Sequence, residues 1–273
     1  MSHSFGNTLS RAFAFANTAF PKFTSWFWIV LFCLLQLIGV ALISTGVIIL
    51  SISTLSLFIP MFGDFMGGMF SDMITSLGLL GFFFGVLFIV LGAILTIIFT
   101  FFVNGFFVRS CKGKDMTLSH PWKMFGQGFL SMVLEIVYFL PAAIITFLLY
   151  LGPMTDTIYY VICGIIVPIL LFIVTYMFYV MAVVRYAKTG KFGKAFQIPT
   201  IGKIICSAGW IRFIWFCIVF FLIIILVSVV FYIVPLVGAI MYLFVMPFLI
   251  AFEGGFFSEL YDSGEEYIDV KIA

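Results

Sequence analysis

From residue 77 to residue 108 the sequence carries no ionisable side chain. As a helix at 1.5 Å per residue this run is about 48 Å long, more than the roughly 30 Å of a bilayer's hydrocarbon core. A stretch this long and apolar needs lipid around it. Further spans of about 20 or more apolar residues lie near 25–50, 128–151, 159–184, 210–234 and 236–257. The last two are parted only by Pro235-Leu236-Val237-Gly238, because one helix through both would cross a membrane twice over. Composition agrees: 64% of the residues are apolar, 20% aromatic and 9% charged, where a soluble domain is about 25% charged. A soluble globule and a disordered chain are both excluded. The expectation is an all-α fold, a polytopic membrane helix bundle of six transmembrane helices plus interfacial amphipathic helices. Residues 1–273 then form a single integral membrane domain.

Cations near spans are retained on the cytoplasmic side. With six spans and both termini inside, Arg11 and Lys22 precede the first span, and Arg109, Lys112, Lys114 and Lys123 join the second to the third. Arg185, Lys188, Lys191, Lys194, Lys203 and Arg212 join the fourth to the fifth, and Lys271 lies in the tail. The outer connections carry Asp64, Asp72 and Asp156 and no cation. This places the chain in the cell (cytoplasmic) membrane with N- and C-termini cytoplasmic. The first apolar run is too long for a cleavable signal and reads as an uncleaved span. Cys33, Cys163 and Cys217 fall in spans and Cys111 and Cys206 in inner loops, so no disulfide is expected.

Some segments have the spacing of helices lying on the membrane. Between residues 58 and 73, Phe and Met recur every three or four positions, with Gly, Ser and Asp between them. This predicts a helix in the outer headgroup layer. A Cu(I) site from Met66, Met69 and Met73 is the alternative, but Phe interrupts the thioethers and no Cys or His assists, so no metal is expected. On the inner side Ile201, Ile204 and Ile205 can face lipid while Lys203 faces water. With Lys188, Lys191 and Lys194 just upstream, Lys203 completes a strip suited to anionic lipid headgroups. Topological retention alone explains the same lysines.

Ionisable groups within spans are functional candidates by default. Glu135 and Glu253 lie in the third and sixth spans, at the level of Arg109, Arg185 and Arg212. Two readings follow: ion pairs that brace the hairpins, or a coupling carboxylate on a solute pathway. Pro141, Pro168 and Pro247 each free a carbonyl one turn earlier, on Val137, Gly164 and Leu243. Phosphate-binding, zinc-protease, nucleophile-elbow and dinucleotide motifs are missing. No enzyme, catalytic residue or cofactor is expected, and a net charge of +2 without a binding motif argues against nucleic acid.

A repeat is also visible. Arg11-Ala12-Phe13, Lys123-Met124-Phe125 and Lys194-Ala195-Phe196 enter the odd spans, and Val108-Arg109-Ser110-Cys111-Lys112 parallels Val184-Arg185-Tyr186-Ala187-Lys188 at the exits. The pattern suggests three parallel hairpins. Gly105-Phe106-Phe107-Val108-Arg109, Pro121-Trp122, Gly128, Tyr138-Phe139-Leu140-Pro141, Arg185-Tyr186-Ala187, Gly190-Lys191-Phe192, Ala195-Phe196, Pro235 and Gly238 carry a further likeness. Over about residues 105–261 the chain resembles the prokaryotic membrane family catalogued as domain of unknown function 4013. It departs from that family in having Lys123 after Trp122, where the family is usually acidic. The resemblance implies a multi-pass membrane protein without an established activity and supplies no catalytic residue. The functional expectation is a non-enzymatic protein of the bilayer that organises lipid or binds protein partners through its basic inner face. The alternative is a permease-like carrier of a small solute using Glu135 and Glu253.

Overall fold

The computed structural model describes residues 5–19, 23–58, 68–113, 120–152 and 157–272, and among them there is no strand. The helices are α1 (Phe5–Thr18), α2 (Phe23–Phe58), α3 (Gly68–Ser110), α4 (Pro121–Tyr150), α5 (Thr157–Tyr159), α6 (Val167–Thr189), α7 (Ile198–Ala208), α8 (Trp210–Ile233) and α9 (Pro235–Ile272). A π-helical segment, Tyr160–Ile166, joins α5 to α6, and a 3-10 turn, Phe192–Phe196, precedes α7. Five stretches are long and apolar enough to cross a membrane: Phe23–Leu55, Ser76–Ser110, Pro121–Tyr150, Thr157–Thr189 and Tyr242–Glu266. This is an all-helical membrane protein.

Several elements outrun their expected limits. Residues 68–73 of the expected outer interfacial helix are the start of α3, and residues 59–67 lie outside the described residues. The α4 helix begins seven residues before the expected span, with Pro at its first position, where no N–H is needed. His120 caps it with φ 61°, and its carbonyl accepts the Lys123 and Met124 N–H groups. The last helix continues past residue 257: α9 runs to Ile272, with Pro247 in its interior.

By contacts the chain divides into two compact units, Leu31–Thr100 and the remainder. Within Leu31–Thr100 the two helices meet along glycines. A Cβ on Gly46 would stand 2.7 Å from the Gly85 carbonyl oxygen, and one on Gly92 2.5 Å from that of Gly39. Gln36 Nε2 donates to Thr100 Oγ1 at 3.0 Å at one end of the seam. Lipid offers no hydrophobic gain for such contact, so close van der Waals approach and hydrogen bonds provide it.

The larger unit is organised on α9. The α1 helix turns Thr8, Ala12 and Ala16 inward at four-residue spacing and packs on α9, with Phe15 against Gly255. Ile201, Ile204 and Ile205 of α7 are buried on the same helix, and Ser207 Oγ donates to the Gly264 carbonyl at 2.9 Å. This corrects the sequence reading: the apolar face of α7 meets protein, because α9 extends far enough to cover it. Helices α3 and α4 cross at Gly105 and Gly128, each of which faces backbone of the other helix. The middle residues of the three entry triplets, Ala12, Met124 and Ala195, are all buried, as are Val108 and Val184 at the exits.

The freed carbonyl of Gly164 finds a donor. Pro168 has no N–H to offer it, and the Tyr150 hydroxyl donates to it at 2.9 Å. Tyr159 Oη in turn donates to the Leu149 carbonyl at 2.8 Å, so two phenols staple α4 to α5 and the π segment.

The seam yields a paired expectation. Gly46→Ile should lower stability by about 1–3 kcal/mol, the usual cost of forcing extra side chain into a packed interface. Gly126→Ala, where nothing lies within 4 Å, should be neutral or stabilising. Thermal unfolding of the two variants in detergent checks both.

Candidate functional site

Two groups of polar side chains stand out in the larger unit. The first is drawn from α4, α6 and α9. Ser131, Glu135 and Phe139 recur at four-residue spacing on α4, the helix that packs along α6. From α6 come Tyr176 and Tyr179, three residues apart and therefore neighbours, and from α9 comes Glu253. The Tyr176 hydroxyl donates to Glu253. The Tyr179 and Ser131 hydroxyls lie 3.4 Å apart, and the Tyr179 ring is set by Phe139 at 5.9 Å. The Tyr176 and Tyr179 rings lie 6.5 Å apart, and Glu135 stands one turn along α4 from Ser131. Glu135 is exposed on α4, whereas Glu253 is partly buried beside a wall of Phe256, Phe257, Phe213 and Phe216.

The three arginines expected at this level go elsewhere. Arg109 Nη1 approaches Met124 Sδ at 3.2 Å. Arg185, 9% exposed, donates to Gln197 Oε1 at 2.6 Å and also acts on the Tyr261 hydroxyl. Arg212 sits in the first turn of α8. Among the described residues none of the three is bonded to Glu135 or Glu253. A phenol, and not a guanidinium, answers the Glu253 carboxylate.

The second group is the basic end. Lys188 bonds to Asp262, donates to the Ser258 carbonyl at 3.3 Å and lies 5.5 Å from the centre of the Tyr261 ring. Arg11 pairs with Glu259 at 3.3 Å. The acidic side of α9 therefore neutralises two cations that the sequence left facing water or lipid. Lys191, Lys194 and Lys203 form no side-chain hydrogen bond or ion pair among the described residues, and Lys191 and Lys203 are exposed. Their segment is nonetheless fixed: the Tyr138 hydroxyl donates to the Ala195 carbonyl at 2.6 Å, Gln197 holds Arg185, and α7 is buried on α9. Gly190, at φ 68°, ends α6 in the left-handed conformation that lets the chain turn into this platform. Cys111, at the start of the α3–α4 connection, is fully buried, and burial pushes its thiol well above the ordinary range.

The sequence reading overlooked Tyr176, Tyr179, Gln197 and Asp262. The Tyr-x-x-Tyr spacing within an apolar run was the available signal, since two phenols on one helical face in lipid each need a partner.

Residues 89–242, more than half of the chain, match the family model described as "Protein of unknown function (DUF4013)". The chain belongs to the DUF4013 family. The match includes the α4–α6 side of the tyrosine cluster and the whole basic platform, and it ends before Glu253. No curated protein and no solved structure matches this DUF4013 chain. Among the described residues no set of three or more His, Cys, Asp or Glu side chains is arranged to hold a metal ion.

Removing the phenol tests the cluster. Tyr176→Phe should destabilise the protein by about 1–3 kcal/mol, because Glu253 loses its donor. Adding Glu253→Gln to that background should recover part of the loss, since a neutral amide is easier to leave unanswered. Unfolding midpoints of the single and double variants decide it.

Proposed function

We propose that the chain is a non-enzymatic, multi-pass protein of the prokaryotic cytoplasmic membrane that gathers anionic lipid at its basic end. In this reading α8, 24 residues long, is the sixth span, and both termini face the cytoplasm. The observation that carries the reading is the sorting of cations. Arg11 and Lys188 are answered by α9 carboxylates, whereas Lys191, Lys194 and Lys203 stand on a fixed platform with no carboxylate partner among the described residues. At about 1 kcal/mol per surface cation, three lysines supply about 3 kcal/mol toward a phosphate-bearing surface, on the order of a hundredfold enrichment.

Reconstitution into nanodiscs of mixed phosphatidylglycerol and phosphatidylcholine tests this. The lipid shell of the wild type should be enriched in phosphatidylglycerol, and Lys191→Gln with Lys194→Gln and Lys203→Gln should remove most of the enrichment. Equal lipid occupancy in the wild type would overturn the proposal. The orientation has its own check: Cys206, exposed on α7, should react with a membrane-impermeant thiol reagent from the cytoplasmic face alone.

One observation favours the carrier reading instead: polar groups run from Glu253 through Tyr176 and Tyr179 to Ser131, one turn along α4 from Glu135. A small solute moving along this path would depend on Glu135. Glu135→Gln should then stop uptake by proteoliposomes without lowering the unfolding midpoint, while lipid enrichment stays as in the wild type.

A further inference from the structure

Pro141, inside α4, leaves the Val137 carbonyl without its helical donor, as Pro168 leaves that of Gly164. The Tyr150 hydroxyl answers Gly164. Among the described residues no side chain donates to Val137. Val137 and Pro141, one turn apart, both line a cavity of about 270 Å³ walled by α4, by α6 and by the 3-10 turn with the start of α7. Thr175 stands on the α6 wall. Elsewhere Ser44, Ser51, Ser53, Thr100 and Thr189 each donate to the carbonyl four residues back. Thr175 makes no hydrogen bond among the described residues. One cavity thus gathers a carbonyl short of a donor and a hydroxyl short of a partner.

We propose that this cavity receives the free hydroxyl of a neutral lipid alcohol, of which a diacylglycerol is the simplest. An alcohol supplies both missing halves: it donates its proton to the Val137 carbonyl, and its oxygen accepts the Thr175 proton. Val137 and Val174, each 44% exposed, belong to stretches long and apolar enough to cross a membrane, so the mouth of the cavity meets lipid. Hydrocarbon has no donor to offer there, and an unanswered polar group costs several kcal/mol. The lining argues against a phospholipid headgroup. A phosphate brings acceptors and a full charge, and no lining residue is charged. The site is also built in advance. Tyr138, in the same lining, donates to the Ala195 carbonyl at 2.6 Å and pins the third wall to α4. Phe178, Phe196 and Ile198 give apolar surface for the carbons next to the hydroxyl. Because the occupant is uncharged, the inference stands apart from the anionic-lipid reading of the basic end.

Photolabelling of the full chain in phosphatidylcholine nanodiscs tests it. The probe is a diacylglycerol with a diazirine near its glycerol, and labelled residues are mapped by mass spectrometry. Label should fall on the α4 and α6 walls, and unlabelled dioleoylglycerol should compete it away. The methyl ether of dioleoylglycerol, which lacks the donor, and phosphatidylglycerol should each compete at least about fivefold less well. Thr175→Val keeps the shape and removes the hydroxyl, and should weaken binding of dioleoylglycerol about fivefold, the equivalent of about 1 kcal/mol for one hydrogen bond. Val174→Trp, which fills the cavity from an exposed position, should abolish the label without altering the unfolding midpoint. Equal competition by the methyl ether or by phosphatidylglycerol would overturn the proposal. So would label outside these walls, label indifferent to both variants, or no saturable label at all, the result expected if water alone fills the cavity.

Discussion

Inside hydrocarbon nothing is gained by hiding one apolar helix behind another, because the surrounding lipid is equally apolar. Everything that holds this protein together therefore depends on close approach and on polar groups that cannot turn to water. The glycine seam between α2 and α3 and the Gly105–Gly128 crossing of α3 and α4 are the first kind. The second kind includes Ser110 Oγ donating to the Ala251 carbonyl at 2.9 Å, Tyr150 donating to Gly164 and Tyr176 donating to Glu253. Each contact removes a group whose exposure to lipid costs several kcal/mol.

Tyrosine does unusual duty here. A phenol carries a large apolar ring that lipid and Phe neighbours accept, and a single donor at its tip. Tyr138, Tyr150, Tyr159 and Tyr176 use that tip on a carbonyl or carboxylate across a helix–helix gap. A guanidinium would bring a full charge into the same place at far greater desolvation cost. This is why the arginines of the inner layer stay near the basic end and the carboxylate deeper in the bundle is answered by a phenol.

The helical class was legible because hydrocarbon length and residue rise are both fixed, and the 77–108 run meets no proline and no charge. The carbonyl freed by Pro168 was also legible, since proline's missing N–H is a covalent fact. The donor from Tyr150 was not, because it depends on how two helices meet. The same limit applies to α7: its amphipathic spacing marks a face to be covered, and lipid or α9 satisfies that spacing equally well. The end of the last helix was misjudged for another reason. Glu259 and Asp262 meet Arg11 and Lys188 of other elements, contacts that no spacing along the chain shows. Tyr176 and Tyr179 escaped notice because they count as aromatics in a hydropathy reading, although their hydroxyls meet Glu253 and Ser131.

The pairing of Arg11 with Glu259 joins residues 248 positions apart in the chain. Synthesis delivers α1 long before the α9 segment that receives it. Thr8, Ala12 and Ala16, buried in the folded protein, have no α9 to pack on before that. Assembly of this unit thus closes like a belt, with the first helix secured only once the final one has been threaded, and a ribosome that stops early leaves the buckle open.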